Sequence, residues 1–297
     1  MRSHSQQVGM FALALPLLVA LAGCGGDEVN YLKNDGSYCL PQPESRTEDC
    51  YLDEIDPEAD RFRVNSTEDL EKVCASKCDK VKLLDVADVD GLKNLRAFEG
   101  IDVVHAASIS MNPELKSTKG LHLRDGASFR VLENPSLETV FGLEDVRTAT
   151  TIKIDFNPNV NTVHGLENIE KVWEQGPEGE PKRTRVQIGR TQLSSLNELD
   201  GLKLHQGSTF RLRDNPNIKR IPELSGEKVA KVLIHDNDSL KNVDGLRGID
   251  ALYKLEIYRN SSLKNCHIQD AIDGIEPWGP DVSRKMYVAD NSSASCN

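Results

Sequence analysis

The chain has 297 residues, with 36 Lys and Arg against 47 Asp and Glu and a formal net charge of -11. That balance argues against a nucleic-acid partner, whose phosphates an acidic surface repels, and favours solubility. Only 5% of the residues are aromatic, which suits thin repeated layers better than one wide core.

In chain order, the first element is a leader. Residues 1–7 are polar with Arg2 as the firm positive charge, and Val8 to Ala22 form an apolar run as long as a signal-peptide core. A membrane-spanning helix needs about 20 such residues. The run closes on Leu21-Ala22-Gly23-Cys24. This segment resembles the lipobox of bacterial lipoproteins, which implies a signal peptide over residues 1–23, cleavage before Cys24 and acylation of its thiol with palmitate-like chains. Each buried methylene contributes about 0.8 kcal/mol, so a multiply acylated Cys24 holds a chain on a membrane without a spanning helix. Gly25 rather than Asp follows the cysteine; by resemblance to enterobacterial sorting, this implies a cell-envelope location at the outer membrane. Residues 1–23 carry Arg2 as their one charged side chain, so the 274-residue mature form has 35 basic against 47 acidic residues, a net of -12.

Residues 24–60 are rich in Gly, Asp, Glu, Pro and Ser with little apolar periodicity, and predict a flexible tether folded locally around Cys39 and Cys50. Six cysteines follow Cys24: Cys39, Cys50, Cys74, Cys78, Cys266 and Cys296. An even number in an exported chain reads as three disulfides, with fifteen possible pairings. Four stand before the repeats described next and two at the end, with none between Cys78 and Cys266. We expect the two ends to be stapled, Cys266 with Cys296 and the first four among themselves. A zinc site is the lesser reading, because Cys39 and Cys50 make no tight hook to match Cys74-x-x-x-Cys78. Ser66-Thr-Glu-Asp69 has the form of a capping box, and Leu70, Val73, Cys74 and Lys77 follow at helical spacing. This helix, Ser66 to Cys78, would cap the first repeat.

From residue 61 to 297 an internal repeat dominates. Asn112, Asn134, Asn157, Asn215, Asn237 and Asn260 recur at intervals of 22, 23, 58, 22 and 23 residues, a period in the leucine-rich-repeat range. The long interval holds one extra repeat, with Thr191 near the Asn position, plus an insertion. Five and three residues before each Asn stand two apolar residues, such as Ile152 and Ile154, which predict a short strand with one buried face. An apolar residue follows at the third position after it, and a Gly-Leu turn at Gly120-Leu121, Gly142-Leu143, Gly165-Leu166 and Gly245-Leu246. The six Asn are read as a structural ladder, whose amides satisfy corner backbone groups that have lost their sheet partners. Asp88-Val-Asp90-Gly91 lacks the later ligands of a calcium loop and is read as another Gly-Leu turn.

The pattern Ile152-Lys-Ile-Asp-Phe-Asn-Pro-Asn-Val-Asn-Thr-Val-His-Gly-Leu-Glu-Asn-Ile169 resembles the receptor L domain, the ligand-binding module of insulin and EGF receptors. The likeness covers about Ser66 to Cys266 and extends to the helix and the Val-Asp-Gly-Leu-Lys-Asn-Leu stretch that open it. It implies a mainly β fold, a right-handed leucine-rich-repeat-like solenoid that binds proteins or peptides. The chain has no cysteine-rich module or kinase to go with it, so receptor signalling is not implied.

Function is expected from the outward strand positions, four and two residues before each Asn. These place Arg130, Lys153, Arg211, Arg213, His235 and Tyr258 on one face, a surface for acidic groups of a protein, peptide or glycan. Trp173, opening an insertion that runs to Arg185, is a second candidate contact. No catalytic residue, cofactor or metal is expected: the histidines have neither metal-ligand spacing nor a partner motif, and phosphate loops, GxSxG and HExxH are missing from the sequence. The reading is a non-catalytic binding module anchored in the bacterial envelope; the alternatives are a purely structural envelope protein and, less favoured, a hydrolase.

Overall fold

The computed structural model describes residues 48–51, 61–173, 184–277 and 285–294. The described chain is mainly β, in three sheets whose strand pairings are all parallel. Parallel neighbours cannot be joined by a hairpin, so each strand must be followed by a return path. The largest sheet takes its neighbouring strands in chain order: Cys78–Ala87, Asp102–Ser110, Ser128–Leu132, Thr151–Asp155, Arg185–Gly189, Thr209–Arg213, Val229–His235, Ala251–Tyr258 and Lys285–Ala289. The return paths contribute a five-stranded sheet, from Thr148–Ala149 through Lys171–Val172, Leu202–Leu204 and Leu224–Gly226 to Gly248–Ile249.

The core follows the period of two along the strands. Ile152, Ile154, Phe129, Val131, Leu212 and Ile234 are fully buried, and they join Ala149, Val172, Leu204 and Ile249 of the smaller sheet in one continuous apolar cluster. The apolar returns Leu115, Leu137, Val160, Ile218, Leu240 and Leu263 are also fully buried. Insertion of the one long interval leaves the register intact: Val186 pairs with Ile152 on one side and Phe210 on the other.

Helix α1 spans Thr67–Ala75 and buries Leu70 and Val73 at one end of this core. Ser66 caps it, its Oγ accepting from Asp69 N–H at 3.2 Å, while the Asp69 carboxylate reaches back to Asn65 N–H at 3.2 Å. Lys77, expected in the helix, lies beyond its C-cap at Ser76. Helix α2, Asn265–Ile272, buries Ile268, Ala271 and Ile272 near the other end.

Two expectations are corrected. Glu48–Tyr51, inside the span read as a tether, is a strand that pairs in parallel with Cys78–Lys80 across a register shift, so the folded body reaches back at least to Glu48. Asp88 to Gly91 is not a Gly-Leu turn but the first corner: Asp88 has φ 58° and Val89 N–H donates to the Asn112 side chain. Gly245 has no left-handed φ, unlike Gly120, Gly142 and Gly165; it lacks a Cβ because one would stand 2.0 Å from Pro222 O. Cys74 packs against the core edge and Cys78 is nearly buried, whereas Cys24, Cys39, Cys296 and the Cys50 side chain lie outside the described residues, and with them the expected pairings.

Candidate functional site

The site is built by the corner that ends each strand of the large sheet. Asn112, Asn134, Asn157, Asn215, Asn237 and Asn260 are all fully buried. Asn134 shows the pattern: its Nδ2 donates to Leu132 O at 2.9 Å within its own repeat and to Ile109 O at 3.1 Å in the preceding one. Its Oδ1 accepts from Asn112 N–H at 3.1 Å, and its own N–H donates to Asn157 Oδ1 at 3.0 Å. Thr191 takes the ladder place in the irregular repeat, its Oγ1 donating to Asn215 Oδ1 at 2.8 Å. Asn291, missed in the sequence, extends the ladder by accepting from Asn260 N–H at 3.0 Å. The turn beyond each Asn is closed by bonds such as Val160 N–H to Asn157 O at 3.1 Å, with Pro158 at the position where a fixed φ is favoured.

The residue just before each ladder position is left-handed without being glycine: Met111, Glu133, Phe156, Arg190, Asp214, Asp236 and Arg259 have φ between 52° and 59°. The side chains two and four residues before the ladder then share the outward face, and strand register aligns them across the sheet. Arg130 pairs with Lys153, Lys153 with Gln187, and Gln187 with Arg211. In the adjacent row Asp155, Gly189, Arg213, His235 and Tyr258 follow one another.

Outward placement does not mean free placement. The Asp155 side chain is 1% exposed and accepts from Arg213 Nη2 at 2.6 Å and from Gln187 Nε2 at 2.5 Å. Asp155 and Arg213 stand on strands either side of Gly189, and they meet because Gly189 has no side chain: a Cβ there would lie 2.8 Å from both Asp155 Oδ1 and Arg213 Cγ. The Arg213 side chain is 15% exposed. It is therefore corrected from a free basic contact to the cation of a covered ion pair. His235 is likewise corrected: at 6% exposure it lies stacked against Tyr258, with ring centroids 4.8 Å apart and 1° between planes. Its Nδ1 meets Asp236 Oδ2 at 2.7 Å and its Nε2 meets Arg211 Nη2 at 3.2 Å, the pattern of a ring protonated at Nδ1 and accepting from the guanidinium.

The carboxylates of the middle strands and corners are in this way largely neutralised inside the protein. Asp155 pairs with Arg213, Asp214 with Arg190 at 3.2 Å, Asp236 with Arg259 at 2.6 Å, and Glu256 with Lys254 at 2.6 Å. The Arg259 fork, with help from His235, lowers the Asp236 pKa to about 2. What remains is a surplus of cations. Arg130, Lys153, Arg185 and Arg211 have no carboxylate partner among the described residues. Burial holds the Lys153 ammonium below its usual range, and Arg185, Arg130 and Arg213 push the same way against Asp155. Arg211 Nε is buried without an acceptor.

Trp173 is separate from this face. It follows the Lys171–Val172 strand of the smaller sheet, tilted against His205 with centroids 5.9 Å apart; residues 174–183 of the insertion lie outside the described residues. A further polar group lies at the start of the large-sheet strand Asp102–Ser110, where His122 bridges Asp102, Nδ1 to Oδ1 at 2.5 Å, and Asp145, Nε2 to Oδ2 at 2.8 Å. Among the described residues there is no cluster of three or more metal-ligating side chains and no helix long and apolar enough to cross a membrane. No family model, curated protein or solved structure matches the chain.

Proposed function

We propose that this chain is a lipid-anchored bacterial envelope protein whose leucine-rich-repeat-like solenoid is a binding module, and that its site is the outward face of the large sheet. The observation that carries the reading is the charge distribution. In an acidic protein, the face carboxylates are taken up by neighbouring cations while Arg130, Lys153, Arg185 and Arg211 stay without one. Their fields add, because strand register brings residues from separate repeats together, and an acidic partner is drawn to such a face at a rate that salt lowers. The Cys24 anchor, proposed from its lipobox-like flank, and end disulfides that include Cys266 with Cys296 complete the reading as an extracytoplasmic module.

The test compares capture of cell-envelope components by the soluble domain and by Arg130→Ser/Arg211→Ser. The variant should lose capture that the wild type shows at low salt, with its fold intact; equal capture by both removes the face as the site. The anchor is tested separately: a palmitate analogue should label the wild-type chain and miss Cys24→Ser, and equal labelling sinks the lipoprotein reading.

A further inference from the structure

We infer that the ligand of the sheet face is an acidic glycan of the uronate type, lying across the strands; this rests on the reading of that face as the binding site. The repeat distance of the cations is the first support. Arg130, Lys153, Gln187 and Arg211 stand on four successive strands in one row, so their spacing is the inter-strand distance of about 4.8 Å and the row spans about 14 Å. Arg185, on the strand of Gln187, supplies the cation that this strand lacks in the row. One pyranose unit of an extended chain is about as long as one strand spacing, and alternate units turn their carboxylates to the same side, so the carboxylates facing the sheet fall on every second strand, on the strands of Arg130 and Arg185 or on those of Lys153 and Arg211.

An extended acidic peptide fits less well. Its same-side residues recur at about 6.6 Å, so it falls out of step with the strands by about 2 Å at each interval. Turned to run along a strand, such a peptide meets two adjacent outward cations at Arg211 and Arg213, of which Arg213 is already held by Asp155. Continuity with an aromatic surface is the second support. Beyond Arg211 the row passes to Leu233, to Glu256, whose charge Lys254 meets at 2.6 Å, and to Tyr287, which is 53% exposed; Tyr258 in the adjacent row stacks on His235 and meets Tyr287 edge-on with centroids 5.6 Å apart. Sugar rings present apolar faces that rest on such rings while their carboxylates meet the cations.

Labelled hexagalacturonate, a neutral galactan hexamer and a hexaglutamate peptide, each titrated into the soluble domain at low and physiological salt, separate the possibilities. Hexagalacturonate should bind with salt-dependent affinity and the neutral hexamer should not. Arg130→Gln, Lys153→Gln and Arg211→Gln should each weaken binding about tenfold, the loss expected for one hydrogen bond to a charged group, with circular dichroism unchanged. Failure of hexagalacturonate to bind, equal binding of the neutral hexamer, or tighter binding of hexaglutamate each overturns the glycan inference. Envelope capture that still depends on Arg130 and Arg211 would then leave the binding face standing with a different ligand, whereas capture that ignores both residues removes the face itself.

Discussion

Replacing Asn157 with alanine tests the ladder that holds every corner. The Asn157 side chain is fully buried and makes four hydrogen bonds: Nδ2 to Val131 O at 2.9 Å and to Asp155 O at 3.0 Å, and Oδ1 from Asn134 N–H at 3.0 Å and Nδ2 at 3.2 Å. Some of the groups left behind retain other partners. Asn134 Nδ2 still reaches Ile109 O and Leu132 O, and Asp155 O still accepts from Glu133 N–H. The Asn134 backbone N–H and Val131 O lose the bonds Asn157 gives them, and a buried donor left unmade costs about 1–3 kcal/mol. Asn159→Ala is the control, because that side chain is exposed and gives up one bond, to Pro135 O at 2.7 Å, within about 0.5 kcal/mol of neutral for a surface change. Urea titrations followed by circular dichroism should therefore place the Asn157→Ala midpoint clearly below that of Asn159→Ala. Coincident midpoints with equal slopes would refute the ladder as a source of stability.

Gly189→Ala puts a Cβ between Asp155 and Arg213 and should cost about 1–3 kcal/mol, as overpacking does; a thermal midpoint equal to wild type would show that the two side chains yield freely. Arg213→Ser should destabilise the fold by about 3–5 kcal/mol by leaving the covered Asp155 carboxylate without its cation, far more than Arg211→Ser, and equal denaturation midpoints for the two would remove the distinction between support and contact. Although burial alone depresses the His122 pKa, bonding to Asp145 and Asp102 raises it above the usual 6.5. Its contribution to stability is thus present below pH 6.5 and lost as the pH rises through the folded value. His122→Gln should flatten the fall in urea midpoint as the pH rises above 6.5, and an unchanged fall would assign it elsewhere.

The inward half of each repeat was legible because six copies could be laid over one another. Ile152 and Ile154 gain meaning from Phe129 and Val131 one period earlier and Phe210 and Leu212 later, and burial then follows from strand alternation. The outward half was legible in position but not in partnership. Asp155 and Arg213 are 58 residues apart, across the insertion, and no pairwise spacing points from one to the other. The available signal was Gly189, a missing side chain at an outward position once Val186 and Ile188 are aligned with Ile152 and Ile154. His235 was misjudged for a related reason: alternation gives direction, while cover depends on the neighbour that stacks on it, here Tyr258. Asn291 escaped because 31 residues separate it from Asn260, breaking the period by which the others were found.

Met111, Glu133, Phe156, Arg190, Asp214, Asp236 and Arg259 share the left-handed corner although they range from apolar to acidic to basic. Left-handed backbone costs a non-glycine residue about 1–2 kcal/mol, so the conformation is imposed on these residues rather than chosen by them. At six of these seven corners the Asn next in sequence supports it, donating to the carbonyl two residues before itself, as Asn157 does to Asp155 O, while after Arg190 the place is taken by Thr191. A scaffold that holds most of its corners through the same amide leaves the neighbouring position open to varied side chains, here Met, Glu, Phe, Arg and Asp. Repeated at the end of strand after strand, this produces an ordered rim along the outward face of the large sheet whose members can be exchanged one at a time while the framework beneath stays in place.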